Sequence, residues 1–433
     1  MKIKLAVMFG GRSVEHEISV ISAIQAIHAV DKDKYDVIPI YITKNNEMYV
    51  GEHIGEIEAY KNINALIAES TRVNLVNDGD RTLIVRYPHK AFAKDVIDYI
   101  DVAFPIVHGT NVEDGTLQGY LQMLNLPYVG CDVISSAVGM DKYVMKTVFK
   151  DNGIPVLDCV CVDAEDYDAD PEKIVADIEK KFSYPVIVKP INLGSSIGIS
   201  KAHDTDGLEN SLSNAFDYAD RVLVEPAIEN LREINCSVLG DRHSARASVC
   251  EEPLNATDIL SYEDKYIGNA SKSGSKGMAS TQRRIPADIP KETENEIREM
   301  AVKAFRVLGC SGVSRIDFMI DASTGKVWLN EINTIPGSLS FYLWEPLGVK
   351  YTELIDEMIS LAMKRERERE SITYSFDTNV LSGIKLGGNI AVKVHSGEKG
   401  NQNFLRPEFL RPAVDYVGGT VVECNTAYGG ARN

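Results

Sequence analysis

The sequence lacks the features of secreted, membrane-spanning and nucleic-acid-binding proteins. Its seven cysteines include no CxxC pair, so neither a zinc site nor a redox motif is indicated, and the odd, scattered set predicts reduced thiols. No apolar run reaches the length that crosses a membrane, and the one near Met1 is too short for a signal peptide. A net charge of −17 argues against nucleic acid or an anionic membrane as the main partner. We therefore expect a cytoplasmic protein, whose 433 residues are enough for two or three domains.

Two common nucleotide-binding signatures are also absent. Gly10 and Gly11 follow the apolar run 4–9 but do not form GxGxxG, so a dinucleotide site is not supported. The segment 190–198, PINLGSSIG, lies between two predicted strands, and no GK[ST] follows it, so it is not a Walker loop. Its exposed backbone N–H groups are nevertheless suited to binding phosphate oxygens.

The first 107 residues have the pattern of an α/β domain. A strand at 4–9, a glycine turn and an amphipathic helix predict the entry to a doubly wound domain, where ligands bind at the carboxyl ends of strands. Further strands are predicted at 35–42 and 101–107. Glu15 and His108 then lie at the same edge of the sheet. Each also has an ordinary structural explanation, which is the helix dipole for Glu15 and a structural role for His108.

Residues 314–338 predict a β-hairpin around the turn DASTG. Because side chains alternate along a strand, Arg315 and Asp317 share one face of the first strand, and Glu331 and Asn333 share one face of the second. If this face borders a cleft, its three oxygen ligands suit Mg²⁺ held between the protein and nucleotide phosphates. A solvated hairpin face explains the same alternation, so the hairpin alone leaves both interpretations open.

Seven motifs in order resemble those of bacterial D-alanine–D-alanine ligases of the ATP-grasp superfamily. They are MFGGRSVEHEIS, FPIVHGTNVEDGTLQG, VGMDK, VIVKPINLGSSIG, YEDKY, SRIDFM and NEINTIPG, and the match spans about residues 1–383. The resemblance implies an α/β, three-domain ATP-grasp architecture. It consists of a doubly wound substrate-binding domain at 1–130, a central ATP-grasp subdomain at 131–228, and a catalytic domain at 229–383 with a lid loop at 255–284.

The same resemblance implies the activity and the partners. It implies ATP-dependent ligation of two D-alanines through D-alanyl phosphate, for peptidoglycan precursor synthesis and hence cell wall biogenesis and cell shape. ATP and two Mg²⁺ or Mn²⁺ ions would be required, and the enzyme would be a cytoplasmic homodimer without nucleic-acid or membrane partners.

Individual residues acquire roles by the same resemblance. Glu15 would bind the ammonium of the first D-alanine, and His108 would lie near its carboxylate. Arg315 and the backbone N–H of Gly337 would form the oxyanion hole. Asp317, Glu331 and Asn333 would bind the metal ions. Ser195, Lys265 and Tyr266 would belong to the loop and lid that close over the substrates. ATP would be bound by Lys142, Lys189, Ser196, Glu225, Ile228 and Glu233.

The segment 338–344, SLSFYLW, departs from the family pattern. Tyr342 stands where the family usually places a small hydroxyl residue that binds the carboxylate of the second substrate. Tyr342 can still donate a hydrogen bond, and Ser340 is a second candidate. Related D-alanine–D-serine and D-alanine–D-lactate ligases share nearly all the other motifs, so the acceptor stays open. The pair Lys265 and Tyr266 favours an amine, and we expect D-alanine.

A nucleotide-binding regulatory protein without catalysis is the third alternative. Binding alone does not require an oxyanion donor, and the set Arg315, Asp317, Glu331 and Asn333 is intact. We therefore expect an enzyme.

A partial segment is predicted at 384–433, beyond the ligase motifs. Residues 389–433 resemble the opening of an uncharacterised family that is often linked to iron–sulphur ferredoxin modules. Its one cysteine, Cys424, cannot hold a cluster. About 45 residues form a marginal core. We expect a strand and a helix without an activity of their own.

Overall fold

A computed structural model describes residues 2–89, 94–194, 197–254, 283–374, 389–394 and 406–422. The chain divides into two compact units, Met1–Glu370 and Ser371–Asn433. All the predicted functional residues belong to the first unit. In the ranges that are described, no helix combines the length and the apolar character that crossing a membrane requires.

The first unit begins with a seven-stranded sheet. Its strands are β1 (Ile3–Gly10), β2 (Tyr35–Ile42), β3 (Met48–Val50), β4 (Thr71–Asn77), β5 (Thr82–Arg86), β6 (Val96–Ile100) and β7 (Val102–Ile106). Their order is β6-β5-β4-β3-β2-β1-β7, with β1 parallel to β2 and β7 and the other neighbours antiparallel. The predicted strands β1, β2 and β7 are confirmed, whereas β3 to β6, which are short or only partly buried, were not predicted.

Helices and glycines shape the edge where β1 and β7 end. The helices of this region are α1 (His16–Ala29), the 3-10 helix Ile57–Asn62, α2 (Ile63–Glu69) and α3 (Thr116–Met123). The apolar side of α1, including Val20 and Ile24, packs into the core as predicted. Gly10 has φ +99°, and a Cβ there would lie 2.2 Å from the carbonyl oxygen of Ile42. Only glycine therefore allows the sharp turn that leads to Glu15.

A four-stranded antiparallel sheet follows, in the order β10-β9-β11-β8. Its elements are α4 (Val133–Met140), α5 (Lys142–Asp151), β8 (Val160–Asp163), α6 (Ala164–Ala169), α7 (Pro171–Lys181), β9 (Val186–Pro190), β10 (Ser200–Ala202), α8 (Thr205–Phe216) and β11 (Arg221–Pro226). Helices α7 and α8 cover one face through Val175, Ile178, Leu208 and Leu212. An isolated bridge joins Tyr128 to Ala103 of β7.

The third layer is a five-stranded antiparallel sheet, in the order β14-β13-β12-β15-β16. Its elements are β12 (Leu231–Gly240), β13 (Ala245–Pro253), β14 (Arg283–Arg284), α9 (Lys291–Val307), β15 (Gly312–Asp321), β16 (Val327–Asn333), the 3-10 segments Gly337–Leu343 and Glu345–Leu347, and α10 (Tyr351–Glu370). The hairpin β15–β16 confirms the prediction for 314–338. Helix α9 packs on the face of the sheet that bears Phe318 and Leu329.

The carboxyl end of the predicted lid loop lies in a strand of this sheet. Arg283 and Arg284 belong to β14 and pair with Glu252 and Pro253, so the predicted lid 255–284 extends two residues too far. Residues 255–282 lie outside the described residues. The domain limits at 130, 228 and 383 stay predictions.

The second unit contains one β-α-β arrangement. Its described elements are β17 (Ala391–Lys393), α11 (Pro407–Val417) and β18 (Thr420–Val422), and the two strands are parallel. The helix was predicted, and the second strand was not. None of the described residues in this unit is buried, which agrees with the expectation of a marginal core.

Candidate active site

Glu15 lies just before α1, in the loop that follows β1. A methyl group placed on Gly109 would lie 3.2 Å from its Oε2, and one on Gly194 would lie 3.0 Å from the same atom. The carboxylate of Glu15 therefore lies close to the backbone of the loop after β7, at Gly109, and of the loop after β9, at Gly194. This arrangement brings the predicted ammonium site to the start of the predicted phosphate loop.

His108 is buried, and both of its ring nitrogens are hydrogen-bonded within the protein. Nδ1 lies 2.7 Å from the carbonyl oxygen of Ile335, and Nε2 lies 3.0 Å from Oγ of Ser22. A carbonyl only accepts, so Nδ1 donates and Nε2 accepts the proton of the Ser22 hydroxyl. Ser22 in turn accepts the backbone N–H of Ser338 at 3.0 Å. Burial lowers the pKa of His108, so the ring is neutral and holds the 335–338 segment in place.

Glu113 connects the same two regions and received no role from the sequence. Its Oε2 accepts the N–H of Gly109 at 3.1 Å, and its Oε1 accepts the N–H of Ile335 at 2.9 Å. Burial, reinforced by the charge of Glu15, raises the pKa of Glu113 to about 7. The carboxyl group therefore fastens the loop after β7 to the segment after β16.

We expect the Glu113→Gln variant to reduce the pH dependence of stability. The pKa of Glu113 is higher in the folded protein (about 7) than its ordinary 4.5, so the unfolded state binds fewer protons between these values. Stability should therefore fall as pH rises from about 4.5 to 7, by up to roughly 1.4 kcal/mol per pH unit. Urea unfolding of both proteins at pH 5 to 8 measures this slope. Identical slopes would exclude Glu113 as the titrating group.

Glu225 is buried between two lysines on the nucleotide side of the site. Its Oε2 lies 2.6 Å from Nζ of Lys146, and its Oε1 lies 2.5 Å from Nζ of Lys189. Burial alone would raise the pKa of Glu225, but Lys189 and Lys146 lower it to about 2. The carboxylate thus stays ionised and fixes both ammonium groups. Sequence reasoning identified Lys189 and Glu225 but missed Lys146.

A β-bulge brings a further side chain to Lys189. The ladder pairs Asp317 with Glu331 and Phe318 with Leu329, so Asn330 is the extra residue in β16. Leu329 is fully buried in the core, whereas Oδ1 of Asn330 lies 3.2 Å from Nζ of Lys189. The bulge therefore lets both Asn330 and Glu331 face the site, which simple alternation along a strand does not predict.

Lys142 links the two halves of the candidate site. Its Nζ donates to the carbonyl oxygen of Leu193 at 2.7 Å and lies 3.4 Å from Oε2 of Glu331. The lysine starts α5, where Asp141 caps the helix through the N–H groups of Tyr143 and Val144. It therefore joins the predicted phosphate loop to the predicted metal ligands.

The hairpin brings Arg315 and Asp317 together as predicted. Nε and Nη2 of Arg315 donate to the two oxygens of Asp317, each at 2.7 Å, and Nδ2 of Asn333 donates to Asp317 at 3.0 Å. Paired residues continue across the sheet, in the row Glu251, Asn235, Asp317 and Glu331. The hairpin face is therefore a half-buried polar surface and not a solvated one.

The segment after β16 has an unusual backbone. Ser338, Leu339 and Ser340 have φ between 49° and 52°, a left-handed conformation that costs side-chain-bearing residues about 1–2 kcal/mol each. Gly337 precedes this turn, and Tyr342 follows it. The Oγ of Ser340 is buried and has no hydrogen-bond partner among the described residues. The contact of Ser338 with Ser22 is one of those that hold this strained turn.

The other predicted residues are distributed as follows. Ile228 follows β11 and is partly buried, and Glu233 lies on β12, on the same face as Asn235. Ser195, Ser196, Lys265 and Tyr266 lie outside the described residues, so their roles stay predictions.

Comparison with known families shows to which family the chain belongs. A family model described as D-ala D-ala ligase N-terminus matches residues 4–131, and one described as D-ala D-ala ligase C-terminus matches residues 148–360. The chain belongs to the D-alanine–D-alanine ligase family. The resemblance seen in the seven motifs is thereby confirmed.

Ligases of this family from other bacteria resemble the chain over most of its length. The D-alanine–D-alanine ligase of Acetivibrio thermocellus is 42% identical, over 84% of this chain and 96% of that protein. The enzyme of Thermosipho melanesiensis is 39% identical, over 89% of this chain and 99% of its own length.

Two solved ligases share the fold. The D-alanine–D-alanine ligase from Coxiella burnetii is 31% identical, with a TM-score of 0.70 over 85% of this chain and 96% of that one. The D-Ala:D-Ser ligase VanG from Enterococcus faecalis is 30% identical, with a TM-score of 0.70 over 84% of this chain and 100% of that one. The predicted α/β class with ATP-grasp architecture is confirmed.

The ligase residues Asp317, Glu331 and Asn333 fit a divalent cation. Their oxygens are hard donors on one face of the hairpin. Burial raises the pKa of Asp317, and the charges of Glu331 and Glu251 add to this rise while Arg315 opposes it. A cation at this surface relieves that repulsion. In the part of the chain that the structure describes, no group of three or more His, Cys, Asp or Glu side chains is arranged to hold a metal ion by itself.

Proposed function

We propose that the protein joins two molecules of D-alanine into D-alanyl-D-alanine, converting ATP to ADP and phosphate through a D-alanyl phosphate intermediate. The observation that carries this proposal is the meeting of the Arg315–Asp317 pair with Glu331 and Lys142 beside the predicted phosphate loop. A cationic oxyanion donor and a nucleotide-phosphate site are the two elements that the reaction requires.

The first step activates a carboxylate, which is a poor electrophile. A carboxylate oxygen of the first D-alanine attacks the γ-phosphorus of ATP, and ADP leaves. Lys142 and Lys189 hold the phosphates and offset the charge that moves during the transfer. Glu15 holds the ammonium of the same D-alanine, and the closeness of its carboxylate to Gly109 and Gly194 supports this role beside the phosphate loop.

Two divalent ions, Mg²⁺ or Mn²⁺, would be held by Asp317, Glu331 and Asn333. When bound, they would neutralise phosphate charge and orient the phosphoryl group. Glu225, Ile228, Glu233 and Ser196 complete the proposed ATP site.

The second step forms the peptide bond. The amine of the second D-alanine attacks the acyl carbon, its proton is lost, and inorganic phosphate leaves. Negative charge develops on the former carbonyl oxygen, where the guanidinium of Arg315 and the N–H of Gly337 stabilise it. Asp317 orients Arg315 through two hydrogen bonds, so the donor is fixed before the charge appears. The proposed lid residues Lys265 and Tyr266, with Ser195, exclude water from an acyl phosphate that hydrolyses easily.

Another acceptor is the second candidate function. The observation that favours it is Tyr342, whose hydroxyl donates to Glu251 at 3.4 Å and is therefore already engaged. A D-alanine–D-serine or D-alanine–D-lactate ligase would retain all the other proposed residues, including Ser340.

D-alanine-dependent release of ADP tests the proposal. The purified protein is incubated with ATP, Mg²⁺ and D-alanine alone, or with D-alanine plus D-serine or D-lactate, and the products are identified by mass spectrometry. D-alanyl-D-alanine as the main product supports the first candidate, and a mixed product supports the second. ATP binding without D-alanine-dependent turnover would contradict both and would leave the non-catalytic alternative.

We expect removal of residues 384–433 to leave ligase activity unchanged, because every proposed site residue precedes them. Turnover and melting temperature of the 1–383 protein, compared with those of the full chain, measure this. A loss of more than about half of the turnover at an unchanged melting temperature would show that the segment contributes to catalysis. Cytoplasmic location and homodimerisation form part of the proposal, and sedimentation analysis of the full chain tests the dimer.

A further inference from the structure

The backbone of Ile335 is hydrogen-bonded on both sides to the loop that follows β7. Its N–H donates to Oε1 of Glu113 at 2.9 Å, and its carbonyl oxygen accepts from Nδ1 of His108 at 2.7 Å. Glu113 also accepts the N–H of Gly109 through Oε2 at 3.1 Å, and its own N–H donates to the carbonyl oxygen of Gly109 at 2.9 Å. The same carboxylate therefore closes its own loop and fixes Ile335 to that loop.

Ile335 leads into the left-handed turn that follows β16. It lies two residues before Gly337, whose N–H is proposed to stabilise the oxyanion, and three before Ser338, where positive φ begins. A left-handed backbone is unfavourable for residues with side chains, so such a turn persists only where its surroundings hold it. Ile335 and Glu113 are 6% and 8% exposed, so water has little access to replace their hydrogen bond.

The two steps of the proposed reaction depend on this segment to different degrees. Phosphoryl transfer uses Lys142 and Lys189, whereas peptide-bond formation needs the N–H of Gly337 at the place where the oxyanion forms. A displacement of about 1 Å can cost on the order of 10² in rate. When the second step slows, D-alanyl phosphate either returns its phosphoryl group to ADP, which gives ATP and D-alanine, or reacts with water, which gives D-alanine and phosphate. Both fates use a first step without forming a peptide bond.

We propose that Glu113 is a positioning residue for the second step, and that it commits D-alanyl phosphate to peptide-bond formation by fixing the 335–337 segment to the loop at Gly109. This inference rests on the proposed ligase function. Glu113 acts through the backbone and not on a reacting atom. A carboxylate suits this role because each of its two oxygens accepts one N–H, whereas a side-chain amide has one accepting oxygen and a nitrogen that only donates.

Counting the first steps that occur for each dipeptide formed tests the proposal in the full chain. ATP with a heavy oxygen isotope in the bridge between its β- and γ-phosphates is incubated with Mg²⁺ and saturating D-alanine. Return of D-alanyl phosphate to ATP moves the label to other oxygens of the β-phosphate, which phosphorus NMR detects. Hydrolysis appears as ADP in excess of dipeptide. We expect Glu113→Ala to raise the sum of these two events per dipeptide about 10-fold, less than the ~10²–10³ that outright loss of an oxyanion donor causes.

Asp101 provides the matched control. Its Oδ2 accepts the backbone N–H of Lys4 at 2.8 Å, so Asp101→Ala also removes a carboxylate from a backbone N–H of the first sheet. Lys4 lies near the start of β1 and Asp101 directly before β7, whereas Glu113 lies beyond the carboxyl ends of these parallel strands. Asp101→Ala should keep the wild-type ratio of unproductive events to dipeptide. An equal ratio in Asp101→Ala and Glu113→Ala would overturn the proposal.

A second variant separates positioning from folding. Loss of folded protein lowers both steps together, so it leaves the ratio unchanged. If Glu113→Ala lowers the melting temperature too far for assay, Glu113→Gln keeps the size of the side chain and one accepting oxygen, and it should raise the ratio by a smaller factor. A wild-type ratio in the folded Glu113 variants would overturn the proposal. A wild-type protein that forms no dipeptide would instead overturn the ligase function, and this proposal with it.

Discussion

Replacing Arg315 with alanine should reduce dipeptide synthesis by a factor of at least about 10² to 10³, the usual effect of losing one oxyanion donor. We expect the guanidinium of Arg315 to stabilise the oxyanion more than a single neutral donor does, because it carries a full positive charge in a half-buried site. The reduction should appear in kcat, since the stabilised charge exists only during the second step. Initial rates of D-alanyl-D-alanine formation at saturating ATP and D-alanine measure it.

The control for Arg315 lies on the opposite face of the same sheet. Arg232 of β12 pairs with Glu252 at 2.8 Å and is not one of the proposed site residues. Arg232→Ala should keep kcat within about twofold. Because Arg315→Ala also leaves the buried Asp317 without its main partner, Arg315→Lys, which retains a positive charge, is the companion variant. Near-normal turnover of a folded Arg315→Ala protein would refute the proposed role.

Lys189 and Lys146 should differ in the kind of defect that their loss causes. Both lysines are buried and touch Glu225, each through a different oxygen. Lys189 is proposed to hold ATP phosphate, so Lys189→Met should lower kcat by about 10² to 10³ and raise the KM for ATP. Lys146→Met should instead mainly lower stability, by roughly 3–5 kcal/mol, because it breaks a buried ion pair.

Paired measurements of the two lysine variants discriminate between these effects. Thermal unfolding gives the stability of each variant, and ADP release at a temperature where both are folded gives kcat and KM. If kcat falls by the same factor in both variants, Lys189 has no special part in phosphate binding. Lys146, Lys189 and Glu225 then form a structural cluster.

Local patterns in the sequence predicted the hairpin, its turn and the shared face of Arg315 and Asp317, because strand alternation is a short-range property. The bulge at Asn330 was not predicted, since one extra residue in a ladder leaves no mark on composition or spacing. The strands β3 to β6 escaped prediction because they are short or only half-buried.

Residues whose role depends on distant partners were the ones missed. Lys146 looks like an ordinary surface lysine until Glu225, 79 positions later, folds against it. Glu251 lies beside Asn235 because of the register of β12 and β13, and it accepts a hydrogen bond from Arg283, which lies 32 positions later. The residues found from sequence belonged to motifs, whereas these depend on tertiary pairing that a single sequence does not reveal.

The hydrogen bonds around His108 also bear on when the site can assemble. They join Ser22 to Ser338 across 316 positions and His108 to Ile335 across 227. Contacts between such distant residues require closure of very long loops, and topologies dominated by them fold slowly. During synthesis, a nascent chain that has not yet emerged beyond Ser338 cannot form these hydrogen bonds. The strained turn at 338–340 can therefore be held in place only after the chain has been synthesised past Ser338.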